Sequence, residues 1–133
     1  MEYKKDKGRR WERFLSTPFI WGMLIPFVFL DLCLEVYHRV CFRLYRLPLV
    51  QRSAYIKFDR HRLTYLTIFD RVNCTYCGYA NGLLRYASAI AGQSERYWCS
   101  IKHQSSKGFI SPTHQKEFLG YGDEGAFRKE YGK

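Results

Sequence analysis

Four soft donors stand at metal-ligand spacing in the second half of the chain: Cys74-x2-Cys77, then 21 residues, then Cys99-x3-His103. Three thiolates and an imidazole are a familiar tetrahedral set for Zn²⁺. The two-residue gap in the first pair lets both sulfurs reach one ion, and Gly78 after it permits the backbone to fold over the sulfur. Zinc is the expected ion, with iron the alternative for a thiolate-rich site. Read instead as a redox dithiol, Cys74 and Cys77 would work through a thiolate at a helix start, but no βαβ pattern surrounds them. A disulfide framework fits poorly with five cysteines, an odd count. Cys33 and Cys41 lie in an apolar region and read as small hydrophobes. His38, His61 and His114 read as surface or capping residues, with His61 a reserve ligand should His103 point away.

For four ligands to converge, the chain must double back. Apolar positions follow a helical period from Leu83 onward, and Gly92-Gln93 interrupts it. Ser94 followed by Glu95 looks like a fresh N-cap with an acid in the first turn. The pattern predicts helices over 82–91 and 95–103 joined by a tight turn, with Cys99 and His103 on one face. One straight helix over 82–98 would be about 25 Å long and would hold the two pairs apart.

Charge organises the first half. The chain has 22 Lys+Arg against 12 Asp+Glu, a formal net charge of +10. Residues 1–13 contribute +3 and residues 36–62 contribute +6, so two stretches carry nearly all of it. Between them, from Phe14 to Leu34, the only charged side chain is Asp31. This basic–apolar–basic layout suits an anionic lipid surface, where each Lys or Arg gains roughly 1 kcal/mol. The expected head-group residues are Arg9, Arg10, Arg13, Arg39, Arg43 and Arg46. The expected membrane-contacting residues are Phe19, Ile20, Trp21, Leu24, Ile25, Phe27, Val28, Phe29 and Leu30.

The charge-free run from Ser16 to Leu30 falls short of the roughly 20 residues that a crossing helix needs. Pro18 fits a first helical turn, while Pro26 lies mid-run and kinks or turns the chain. A shallow insertion, or a hairpin dipping around Gly22 to Pro26 from the cytoplasmic side, is therefore expected, with a single bent span as the alternative. After the run, Asp31, Glu35, Arg39 and Arg43 recur every fourth residue among apolar neighbours, which is an amphipathic helix ended by Pro48.

Two resemblances attach to these motifs. Cys74-Thr75-Tyr76-Cys77-Gly78-Tyr79 resembles the first iron-binding knuckle of a rubredoxin, over six residues and without the second knuckle. More widely, Asn73-Cys74-x-Tyr76-Cys77, Asn81-Gly82, Tyr97-Trp98-Cys99-x-Ile101-Lys102-His103 and Tyr121-Gly122-Asp123 with Glu124, Gly125, Phe127 and Arg128 resemble a pattern shared by a family of small uncharacterised bacterial proteins. That likeness covers residues 59–128 and implies a bacterial source and a shared site. It brings no activity with it.

The expected fold is mainly α: a small helical, metal-braced domain preceded by an apolar membrane-inserting or interfacial helix or hairpin. The expected divisions are a basic segment at 1–13, a membrane-contacting segment at 14–50, a Cys3His domain at 51–104 and a tail at 105–133. In the tail, Ser111-Pro112 opens a short helix that Gly120 ends, and residues 121–125 turn. Aromatic residues make up 18% of the chain, which argues against disorder. No glycine-rich phosphate loop, HExxH or GxSxG occurs. Asp59, His61 and Asp70 offer acid–base types with nothing to fix their geometry, so the reading leans away from an enzyme. A membrane-associated, metal-binding accessory protein with anionic lipid and a protein partner in a membrane complex is expected. Electron transfer or dithiol exchange is the alternative. A nucleic-acid binder using Arg39–Arg62 with Tyr37, Tyr45 and Tyr55 ranks last.

Overall fold

The computed structural model describes Gly8 and residues 10–132, and it is mainly helical, with no strand among the described residues. Four α-helices carry the fold: α1 (Arg10–Gly22), α2 (Leu24–Leu44), α3 (Ile68–Trp98) and α4 (Glu124–Tyr131). Short 3₁₀ turns occupy Arg52–Ala54, Arg60–Arg62 and Thr113–Glu117. The chain divides into two compact units, Met1–Leu84 and Arg85–Lys133.

In the first unit, α1 and α2 follow one another with a single interruption at Met23. The Met23 amide donates to the Phe19 carbonyl at 3.3 Å, and the Phe27 amide donates to the Met23 carbonyl at 3.2 Å, so the helical path continues through the break. Pro26 has no N–H to offer the Gly22 carbonyl. The expected hairpin at Gly22 to Pro26 is thus not formed, because proline removes one bond here without reversing the chain. Pro18 sits inside α1 rather than in its first turn.

The end of α2 follows its sequence closely. The Leu47 amide donates to the Phe42 carbonyl at 2.8 Å and the Arg46 amide to the Arg43 carbonyl at 3.2 Å, the two bonds of a Schellman motif. Arg46 takes the left-handed position at φ 56°, where glycine is the usual occupant, and Pro48 follows. At the start of α3, the Thr67 hydroxyl accepts from the Asp70 amide at 3.3 Å and donates to the Asp70 carboxylate at 2.7 Å. The Thr67 hydroxyl thus caps the Asp70 amide, and the Asp70 carboxylate orients that hydroxyl.

Glycines in α3 serve close approach rather than turning. A Cβ on Gly82 would lie 2.7 Å from the Tyr55 carbonyl oxygen and 3.0 Å from the Ile56 Cα, so the 55–57 segment packs directly on the helix there. Gly78 sits under the Lys57 carbonyl at 3.3 Å in the same sense. Ile56, Leu66, Ala80, Leu83 and Phe42 are the buried apolar residues of this unit. Gly82→Ala should therefore destabilise the protein by about 1–3 kcal/mol, the overpacking cost outrunning the helix propensity that alanine adds. Denaturant unfolding measures this, and a variant at least as stable as the parent would contradict the packing described.

The second unit takes the remainder of α3. The helices expected at 82–91 and 95–103 are one: α3 passes through Gly92 unbroken to Trp98. Gly92 is small because the His114 ring lies against it, 2.9 Å from where a Cβ would stand. Ile101 and Leu119 form a parallel bridge, with the Lys102 amide donating to Leu119 at 2.8 Å and the Leu119 amide to Ser100 at 2.9 Å. Tyr86, Ile90, Gln115 and Phe118 are buried here. The expected tail helix is a 3₁₀ turn, and the expected 121–125 turn leads into α4, whose Asp123 cap accepts from the Ala126 amide at 2.9 Å.

Candidate functional site

The face that α1 and α2 turn outward is largely apolar, and α2 turns its two acidic side chains toward its own unit. Ile25, Phe29, Leu32, Val36, Val40 and Leu44 recur at helical spacing, and each is more than half exposed. Phe14, Leu15 and Phe19 extend the exposed apolar surface into α1. Of the nine expected membrane-contacting residues, Phe19, Ile20, Ile25, Val28, Phe29 and Leu30 are exposed, whereas Trp21, Leu24 and Phe27 are half-buried. The helical stretch Trp11–Leu44 is long and apolar enough to cross a membrane, and none of its most apolar window is buried. Of the four charged side chains of α2, Asp31 and Glu35 are half-buried and Arg39 and Arg43 are exposed.

The inward charges of α2 are matched. Arg52 grips Asp31 through both terminal nitrogens, Nη2 to Oδ2 at 2.6 Å, and Nη1 also reaches Glu35 Oε1 at 3.2 Å. Two forked bonds fix the guanidinium plane, and the Asp31 and Glu35 partners hold Arg52 firmly protonated. Tyr79 of α3 donates its hydroxyl to Asp31 at 2.8 Å. Burial first, and then this bond to the carboxylate, push the Tyr79 phenol up to about 12. One turn further along α2, His38 is buried, and its Nε2 accepts from the Val50 amide at 3.0 Å. That acceptor role makes it a neutral imidazole protonated on Nδ1.

Near the break in α1–α2, Tyr76 donates its hydroxyl to the Ile20 carbonyl at 2.8 Å, and its ring lies 5.2 Å from that of Trp21. These rings border a pocket of about 400 Å³ within the first unit. Its walls come from α1–α2 (Trp21, Leu24), the 58–61 segment (Phe58, His61) and α3 (Arg71 to Tyr79).

The metal constellation does not assemble as expected. Cys74 and Cys77 share one side of α3, well inside the helix and away from its start at Ile68. The rubredoxin-like segment is helical throughout, so Gly78 folds nothing over a sulfur. The expected site needed a reversal near Gly92, and α3 runs through that position as one helix. Among the described residues no group of three or more His, Cys, Asp or Glu side chains is placed to hold a metal ion. All five cysteines are free thiols.

His103 instead stands 3.9 Å from the Glu95 carboxylate, and its ring is 5.6 Å from Phe109. Glu95, expected as an acid in the first turn of a second helix, is instead a hub within α3. Its carboxylate binds His114 Nε2 at 2.6 Å and the Gln115 amide, and the His114 contact first, then Gln115, keep it below the ordinary glutamate range. Partners 19 and 20 residues away leave no local signal.

Of the expected head-group residues, Arg9 lies outside the described residues, Arg13 is half-buried, and Arg39, Arg43 and Arg46 are exposed. Arg39 also pairs with Glu35 at 3.0 Å. Arg52's commitment to Asp31 and Glu35 takes a cation out of the stretch considered for nucleic acid. Comparison with known protein families, curated proteins and solved structures finds no match for this chain.

Proposed function

We propose that the chain is a membrane-anchored accessory protein whose α1–α2 helix lies in the plane of the bilayer interface. The outward apolar stripe would sit among the acyl chains, and the basic flanks against anionic head groups. The observation that carries this reading is the inversion of α2, with Ile25, Phe29, Leu32 and Val36 exposed and Asp31 and Glu35 turned in to Arg52. A contiguous exposed apolar surface of this extent marks a partner, and its flanking cations favour lipid.

Length and surroundings favour lying flat over crossing. From Phe14 to Leu44 the helical path is about 45 Å, half as long again as a hydrocarbon core of about 30 Å. In its first third, at Trp21 and Leu24, the neighbouring walls bring His61 and Arg71. A crossing helix would draw the Arg71 guanidinium toward the hydrocarbon.

The test is flotation of the full chain with vesicles of phosphatidylcholine and phosphatidylglycerol, tagged at each end and exposed to added protease. Co-flotation with both tags digested is expected. One protected tag would replace the interfacial helix with a span, and protein left in the soluble fraction would overturn the membrane reading altogether.

A further inference from the structure

Resting on the interfacial reading, we propose that the pocket beside Trp21 binds one anionic phospholipid of the bilayer, its acyl chain within the pocket and its phosphate on Arg71 and His61. The pocket measures about 400 Å³, within the range of small-molecule sites. Trp21, Leu24, Phe58 and Val72 offer it carbon surface, which a hydrocarbon chain matches. The same helix exposes Ile25 and Phe29 just beyond Leu24, so the pocket lies next to the stripe assigned to the acyl region.

The charge at the rim is built. Arg71 donates Nε to the Leu66 carbonyl at 3.1 Å and Nη2 to the Thr64 carbonyl at 3.4 Å. Those two bonds orient the guanidinium while leaving three of its five N–H groups for a ligand. Arg71 makes no ion pair with a carboxylate among the described residues. A guanidinium held in place by neutral carbonyls is a good phosphate receptor, because its fork is set before the ligand arrives. His61 lines the same pocket from the turn Arg60-His61-Arg62, whose exposed arginines add positive charge to that segment. A neutral or zwitterionic lipid would gain the apolar contacts without this electrostatic preference.

Trp21 reports on its own pocket. With Trp11→Phe and Trp98→Phe it is the only indole left, and lipids brominated on the acyl chain quench it on contact. The full chain is bound to phosphatidylcholine vesicles containing a minor, equal fraction of brominated phosphatidylglycerol or brominated phosphatidylcholine. About fivefold enrichment of the brominated phosphatidylglycerol at Trp21 is expected. Arg71→Gln should abolish that preference, while Arg43→Gln, an equal change of charge away from the pocket, should keep it. Should Arg71→Gln fail to fold by circular dichroism, Arg71→Lys set against Arg43→Lys carries the comparison, because lysine keeps the charge and loses the fork. Equal quenching by the two lipids, or equal losses at Arg71 and Arg43, would overturn the pocket while leaving the anchor intact. No quenching by either lipid would remove the anchor and the pocket together.

Discussion

Phe29→Asp should lower partitioning into phosphatidylglycerol-containing vesicles by about 100-fold. The phenyl ring is 69% exposed in the folded protein, so its stability does not depend on that ring. In the bilayer the substitution forfeits roughly 1.5–3 kcal/mol of apolar transfer. It also adds a carboxylate, whose cost at a helix centre reaches about 2.5–3.5 kcal/mol and is smaller at shallow depth. A total near 3 kcal/mol corresponds to the stated factor. Vesicle titration gives the partition coefficient directly, and circular dichroism shows whether the fold survives. If Phe29→Asp partitions like the parent, the stripe faces something other than acyl chains. The same substitution in a soluble helix packed on protein would instead unfold the chain.

Arg52→Met should destabilise the first unit by about 2–3 kcal/mol. Its removal leaves Asp31 and Glu35 side by side on α2 with the Tyr79 hydroxyl still bound to Asp31. Stranding one partner of a fully buried pair costs about 3–5 kcal/mol. The figure here is lower because 38% of the Arg52 side chain reaches solvent, which screens part of the interaction. The double variant Asp31→Asn with Arg52→Met should lose less than the two single losses combined, since the repelling charge goes with its partner. Denaturant unfolding in mild detergent, followed by circular dichroism, gives all three values. A loss under about 0.5 kcal/mol for Arg52→Met would mean that the cluster does not hold α2 to its unit.

Much of the N-terminal half was legible. The four-residue recurrence of Asp31, Glu35, Arg39 and Arg43 marks a helix, and Pro48 marks its limit. Periodicity says that a helix has two faces but not which of them is covered. That depends on Arg52 and Tyr79, 21 and 48 residues from Asp31. The error at Gly92 has a similar origin. Glycine is permitted both where a chain turns and where another segment presses on a helix, and only the position of His114 separates the two cases. Gly78 and Gly82 were ambiguous for the same reason. The spacing argument for a metal site assumed a reversal near Gly92, where α3 runs on as one helix. The start of α3 was readable and missed: Thr67-x-x-Asp70 is a local signature.

The division between the two units falls between Leu84 and Arg85, seventeen residues into a thirty-one-residue helix. A gene fusion or truncation made at that division would open the downstream fragment in mid-helix. Its leading amides would lack acceptors, and Thr67 and Asp70 would remain on the discarded piece. A cut ahead of Thr67 would keep the helix start but strip Tyr79, Ala80 and Leu83 from the first unit, so neither position separates the two units cleanly.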